Sequence, residues 1–223
     1  MRLETERLRL RRLTVDDVDE LVALDADPEV MRYLTGGRPT PVEVVRDEQL
    51  PRLLDQYQRH PGLGRWAAED RVTGEFLGWL ALDPTPDGST FDGSTLIDPV
   101  PSDPVPSGAV QGGTVPSGGP VRDRGEDGVA AELGYRLRRV AWGRGLATEG
   151  SRALLRYAFD TVGVRRVWAQ TMAVNTRSRA VLERAGLRYV RTFHLHFDDP
   201  IPGTEHGEVE YEARNPACRR SAS

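Results

Sequence analysis

Residues 2–12 alternate polar and apolar side chains, with Leu8 and Leu10 on one face, which predicts an opening strand. After Thr14 the period changes. Val18, Leu21, Val22 and Leu24 recur at helical spacing, and Thr14 followed by Asp17 gives a start of the capping-box kind. That helix ends near Asp27 and Pro28, and a short helical turn over 29–34 follows. A second helix is expected from Thr40, with Thr40 as cap, Pro41 at the first position, and Val45, Leu50, Leu53, Leu54 and Tyr57 as its apolar face. Residues 63–69 and 75–82 read as a hairpin joined through 70–74, with Gly78 marking a bulge or a close backbone approach. Over 129–137, Ala131, Leu133, Tyr135 and Leu137 alternate with Glu132, Gly134 and Arg136. Leu146, Leu154, Leu155, Ala158 and Phe159 return to helical spacing, 165–172 is again a strand, and a helix follows through 180–185. Residues 187–197 and 208–213 predict a final strand pair.

Segment 83–128 breaks this pattern. It is rich in Pro, Gly, Ser and Asp, has only Phe91, Leu96, Ile97 and scattered Val to bury, and contains a near-repeat at 98–102 and 103–107. Such a composition does not offset its ordering entropy and is expected to be a disordered insertion. A docking site for a proline-binding partner is the alternative. Lengthening a strand connection from about 4 to about 46 residues costs only ~2 kcal/mol. The chain is therefore expected to be one domain, 1–82 and 129–214, with 83–128 inserted and 215–223 a flexible tail.

With 38% hydrophobic residues, the 223-residue chain can bury a sizeable core. Its formal charge of −4 disfavours a nucleic-acid surface and suits attraction of cationic amines. All 30 basic residues are arginine, and the one cysteine, Cys218, cannot form an internal disulfide. No apolar run approaches the ~20 residues of a membrane span, and the start is not a signal peptide. A cytoplasmic protein without membrane or nucleic-acid partners is expected.

The chemistry concentrates at Val140-Ala141-Trp142-Gly143-Arg144-Gly145-Leu146-Ala147-Thr148-Glu149-Gly150, between a strand end and a helix start. Gly143 and Gly145 permit positive φ and close approach, and the first N–H groups of the helix face a ligand at its positive end. A phosphate or pyrophosphate suits that place. A P-loop is excluded because the chain has no lysine, and the third glycine of a dinucleotide fingerprint is absent. A tight turn without a ligand is the plain alternative.

The order of strand, glycine loop, helix, strand, Asn175-Thr176-Arg177-Ser178, helix and Ala185-Gly186-Leu187 resembles the GCN5-related N-acetyltransferases (GNAT). The string from Trp142 to Gly150 and the opening Leu3-Glu4-Thr5-Glu6-Arg7-Leu8-Arg9-Leu10-Arg11 are similar to their RimJ/RimL branch, the ribosomal-protein alanine acetyltransferases. The resemblance implies an α/β fold, a mixed, mostly antiparallel twisted sheet with helices on both faces and splayed central strands. It implies acetyl-CoA as co-substrate, no metal, and a primary amine acceptor on a small molecule or a protein N-terminus. In that reading the backbone of Gly143, Arg144, Gly145, Leu146, Ala147 and Thr148 holds the pyrophosphate, and the strand edge at Leu137 bonds the pantetheine amides. Arg138, Arg139 and Arg144 add positive charge, Asn175 bonds the pantetheine arm, and Ser178 donates to the departing thiolate.

Glu132, on the strand beside the cofactor and facing away from Leu133 and Tyr135, is the candidate base, acting directly or through water. Asn175 also reads as a helix N-cap and Glu132 as a solvated or arginine-paired strand carboxylate. His194 and His196, at i and i+2 with Asp198 and Asp199 nearby, allow a metal site, an acceptor-pocket lining or an alternative base. The rival from another class is a catalytically silent acyl-CoA-binding regulatory module on the same fold. A monomer or homodimer is expected.

Overall fold

The computed structural model describes residues 2–85 and 129–217. Eight strands form one sheet: β1 (Arg2–Glu4), β2 (Leu8–Arg12), β3 (Gly64–Asp70), β4 (Phe76–Thr85), β5 (Ala130–Leu137), β6 (Arg166–Met172), β7 (Arg188–Phe193) and β8 (Glu208–Arg214). Their spatial order is β1-β2-β3-β4-β5-β6-β8-β7. All pairings are antiparallel except β5 with β6. The helices are α1 (Val18–Asp25), α2 (Pro28–Met31), α3 (Leu50–Arg59), α4 (Leu146–Tyr157) and α5 (Thr176–Ala185). A π-type stretch, Val44–Gln49, leads directly into α3.

Strand alternation divides the apolar residues between the two faces of the sheet. On one face Leu8, Leu10, Leu80, Leu82, Ala131 and Leu133 pack with Leu146, Leu154 and Leu155 of α4 and Leu182 of α5. On the other, Ala67, Trp79 and Ala81 pack with Leu21 and Leu24 of α1 and Leu50 of α3. Each fully buried Leu contributes about 1.5–3 kcal/mol. The mixed sheet with helices on both faces agrees with the fold expected from the sequence.

Several local expectations are corrected. The opening strand is interrupted at Thr5–Arg7, where the Thr5 amide closes a turn on the Leu8 carbonyl (2.9 Å) and the Thr5 hydroxyl accepts the Leu8 N–H (2.9 Å). The helix expected from Thr40 begins at Val42. Thr40 does not act as its cap, because its hydroxyl donates to Asp25 at 3.0 Å. Strand β4 runs through Thr85, into the segment assigned to the insertion, because Asp83 is buried and paired with Arg65 at 3.2 Å. The rest of that segment, 86–128, and Cys218 lie outside the described residues. Strand β7 stops at Phe193. Gly78 is a close approach, since a Cβ there would collide with the Arg136 carbonyl oxygen on β5. The β3–β4 register also shifts, between Ala68 and Glu69.

The feature that positions the site is the divergence of β5 and β6. They pair only from Ala130 to Glu132 against Arg166 to Trp168. Beyond Glu132 the two parallel strands separate, and the β6-facing side of Leu133 to Leu137 has no strand partner among the described residues.

Candidate active site

At the end of β5, Leu137 leads through a 3-10 turn, Arg139–Ala141, into the glycine loop. The Trp142 indole N–H donates to the Leu137 carbonyl at 2.7 Å, which folds the loop back on the strand end. Gly143 and Gly145 have φ of +71° and +76°. Gly145 is the N-cap of α4, and the first helical hydrogen bond runs from the Glu149 N–H to the Gly145 carbonyl at 3.0 Å. The N–H groups of Leu146, Ala147 and Thr148 therefore have no intrahelical partner. In front of Gly143 a Cβ would meet nothing within 4 Å. The loop thus combines donors, the positive helix end and open space, which fits a pyrophosphate.

Contacts from the opposite end of the chain hold the loop. The Glu149 carboxylate accepts the Thr5 hydroxyl (2.5 Å), the Arg7 N–H (2.8 Å) and the Arg7 Nε (2.7 Å), and Arg7 Nη1 donates to the Arg144 carbonyl (2.7 Å). Burial pushes the Glu149 carboxyl upward, but these bonds outweigh it and hold the group below its usual range. The opening string and the glycine string are thus one structural unit. Arg7→Ala, which frees the Arg144 carbonyl, is expected to raise the KM for acetyl-CoA about tenfold with kcat little changed, by loss of the charge-assisted bonds that brace the loop. Steady-state kinetics at saturating amine check this, and a loss confined to kcat contradicts it.

Beside the loop lies a cleft of about 690 Å³ lined by Asp27, Glu29, Arg139, Val140, Trp142 and Arg177. The Arg177 guanidinium lies over the Trp142 ring, 5.6 Å from its centroid, and Arg139 is 4.0 Å from Asp27. The three arginines singled out in the sequence separate here. Arg139 lines the cleft, Arg138 is paired with Glu20 of α1, and Arg144 is 3.7 Å from Asp70. Arg177 was not foreseen, although its place one residue before Ser178 put it at the start of α5.

Asn175 caps α5, its side-chain oxygen accepting the Ser178 N–H at 3.2 Å while its amide donates to Thr171 at 3.2 Å. The N-cap reading therefore holds, and the amide is oriented by β6. Ser178 Oγ is 2.7 Å from the Tyr135 hydroxyl. Burial pushes the Tyr135 phenol well above its ordinary range, so it stays protonated. Periodicity marked Tyr135 only as a core-facing residue, and its pairing with Ser178 was not anticipated.

Glu132 stands where β5 and β6 part, on the α1 and α3 face, and is 1% exposed. Neither carboxylate oxygen has a hydrogen-bond partner. Burial, with the neighbouring Asp83 carboxylate adding to it and Arg65 opposing it, pushes its carboxyl up to about 8. The nearby Arg65 is engaged by Asp83, the register partner of Glu132 on β4, which also accepts from Gln56 at 3.2 Å. An ordinary arginine-paired strand carboxylate is thus not what Glu132 is. Among the described residues no group of three or more His, Cys, Asp or Glu is arranged to hold a metal ion. No helix there is long and apolar enough to cross a membrane.

Known proteins share this arrangement. The family model for the acetyltransferase (GNAT) domain matches residues 7–99 and 111–188. The chain is 34% identical over 210 residues to the FsC-acetyl coenzyme A-N(2)-transacetylase of Aspergillus fumigatus, across 94% of this chain and 74% of that protein. RimL, a ribosomal L7/L12 alpha-N-protein acetyltransferase solved with coenzyme A, superposes with a TM-score of 0.66 at 17% identity, covering 97% of this chain and 99% of that one. The aminoglycoside acetyltransferase AAC(6')-Ib, also solved with coenzyme A, gives 0.60 at 18% identity, with 97% and 99% covered. A family match over most of the chain, on a sheet that parts beside a glycine loop, shows that this chain belongs to the GNAT acetyltransferases, enzymes that transfer an acetyl group from acetyl-CoA.

Proposed function

We propose that the protein acetylates a primary amine, on a small molecule or a protein N-terminus, by direct attack within a ternary complex, with Glu132 as base and Ser178 as donor to the leaving sulfur. The observation that carries this is the buried, unpartnered Glu132 at the parting of the strands, with the glycine loop at the far end of the same strand. Acetyl-CoA supplies a thioester whose carbonyl carbon accepts the amine. The backbone of Gly143 to Thr148 holds the pyrophosphate, Arg139 and Arg177 add positive charge at the cleft, and the free side of β5 receives the pantetheine amides. As the C–N bond forms and the C–S bond breaks, Glu132 takes the proton released by the amine nitrogen. The Ser178 hydroxyl, held by the Tyr135 hydroxyl, donates a hydrogen bond to the departing thiolate and keeps its proton, and the released thiolate takes its proton from solvent. Holding the reactants together supplies most of the rate, and proton transfer and charge stabilisation supply the rest.

Membership of the RimJ/RimL-like branch is part of this proposal, supported by the Trp142–Gly150 string and the likeness to the RimL fold. The names of the FsC N(2)-transacetylase and of RimL both specify acetylation at nitrogen, which supports an amine acceptor here. A buried carboxylate without a partner costs stability, and a silent acyl-CoA-binding module would gain nothing from that cost.

The test is amine-dependent thiol release from acetyl-CoA by the protein and its Ser178→Ala variant. Loss of a hydrogen bond to the developing thiolate is expected to lower kcat about tenfold with little change in the KM for acetyl-CoA. A binding defect with normal turnover would assign Ser178 to cofactor contact instead.

A further inference from the structure

Four of the buried carboxylates of this arginine-rich chain hold an arginine: Asp17 with Arg11, Asp25 with Arg136, Asp83 with Arg65, and Glu210 with both Arg166 and Arg191. Two, Glu132 and Glu208, hold no ion pair among the described residues. The contrast is sharpest along β8, where Glu208, Glu210 and Glu212 share one face of the strand. Glu210 and Glu212 are each bound by two arginines. Glu208 is 8% exposed and has no such partner.

Alternation sets Glu208 on the same sheet face as Glu132. Val209 and Tyr211 of β8 point into the core with α4 and α5, as Ala131 and Leu133 of β5 do. Glu132 is in register with Trp168 and Glu208 with Met172, four residues further along β6. The two Cα positions are thus roughly 13 Å apart along the strands and two strand spacings apart across them. Between them on the same face is Gln170, whose side-chain oxygen is buried without a partner. The β7–β8 connection covers this end. Gly203 lies against Val174 and the Met172 methyl, Ile201 lies against Gly36, and Asp199 pairs with Arg38 at 2.7 Å. The face is therefore enclosed, with the apolar Trp168 and Met172 beside the two glutamates and arginine held only at Glu210 between them, so that Glu132 and Glu208 lack positive charge at two separated points.

We propose that the acceptor is a dicationic small amine of the diaminoalkane or polyamine class, its reacting nitrogen directed to Glu132 and its second ammonium held by Glu208, with the Gln170 oxygen accepting an N–H between them. This rests on the reading of Glu132 as base and narrows the acceptor it serves. With both glutamates reaching inward, the two nitrogens are on the order of 10 Å apart. The missing arginines are then supplied by the substrate. Burial alone pushes the Glu208 carboxyl up to about 7, so a bound ammonium also returns it to its charged form.

The experiment compares diaminoalkanes of increasing length with monoalkylamines of equal length, using thiol release and calorimetry on the full chain with coenzyme A bound. The protein is expected to favour the best diamine by about tenfold in kcat/KM and in affinity, as loss of one charged contact implies. Glu208→Gln should abolish that preference while leaving the Kd for acetyl-CoA and the kcat/KM for monoamines unchanged. Equal use and binding of both series by the wild type overturns the proposal. So does a Glu208→Gln variant that keeps the preference, or one that loses both series alike while still binding coenzyme A. If no small amine releases thiol, the reading of the chain as a small-amine acetyltransferase fails, and the calorimetric comparison of diaminooctane with octylamine still decides the role of Glu208.

Discussion

Glu132→Gln is expected to lower kcat by about 10³-fold while making the protein more stable as the pH rises. The rate loss is that of removing a positioned base, and acetyl-CoA affinity should be unaffected because Glu132 is on the α1 and α3 face of the sheet, away from the start of α4. The stability gain has a defined sign. The folded-state carboxyl, raised from 4.5 to about 8, favours its neutral form, so the wild type loses stability as pH climbs from the unfolded value toward 8. The amide cannot ionise and escapes that loss, which is on the order of a few kcal/mol. Melting temperatures of the two proteins should nearly coincide near pH 4.5 and diverge by pH 9. In parallel, kcat/KM of the wild type should rise through an apparent pKa near 8, below the ~10 of the acceptor ammonium, and the variant should lack that limb. A parallel pair of melting curves, or a rate loss under tenfold, would remove Glu132 from the mechanism.

Gly145→Val is expected to weaken acetyl-CoA binding by about 10²-fold or more with the sheet intact. Gly145 adopts φ of +76° as the cap of α4, where a β-branched residue is strained by roughly 1–2 kcal/mol. Relief of that strain turns the loop N–H groups away from the phosphates they are proposed to hold, and the valine side chain crowds the Arg7 guanidinium that braces the loop, 3.6 Å from the position of the added Cβ. Calorimetry for affinity and circular dichroism for fold separate the outcomes. Unchanged affinity in a folded variant would mean that the loop is only a turn.

What the sequence disclosed, and what it hid, follows from the range of the interactions. Strand and helix positions were legible because Leu8, Leu10, Leu80, Leu154 and their like carry the period of the element they sit in. The glycine loop and the Asn175 cap were legible because their geometry is made within a few residues. The misses are all contacts between distant segments. The turn at Thr5 and Arg7 is secured by Glu149, Thr40 is claimed by Asp25, and β4 continues through Asp83 because Arg65 awaits it. Arg138 and Arg144 were readable as charge beside the glycine loop, but their pairing with Glu20 and Asp70 was not. Tyr135 beside Ser178 was likewise invisible, since strand and helix meet only when the sheet has formed.

The bonds from Thr5 and Arg7 to Glu149 and Arg144 span more than 130 residues of sequence. During synthesis on the ribosome, the loop cannot be braced until α4 has emerged, long after the first strands are free. Contacts of such separation form late, because loop closure must be met before they add stability. Cofactor affinity is therefore acquired by the nearly completed sheet rather than by its parts, and acetyl-CoA added to a refolding reaction should be captured only in the last kinetic phase.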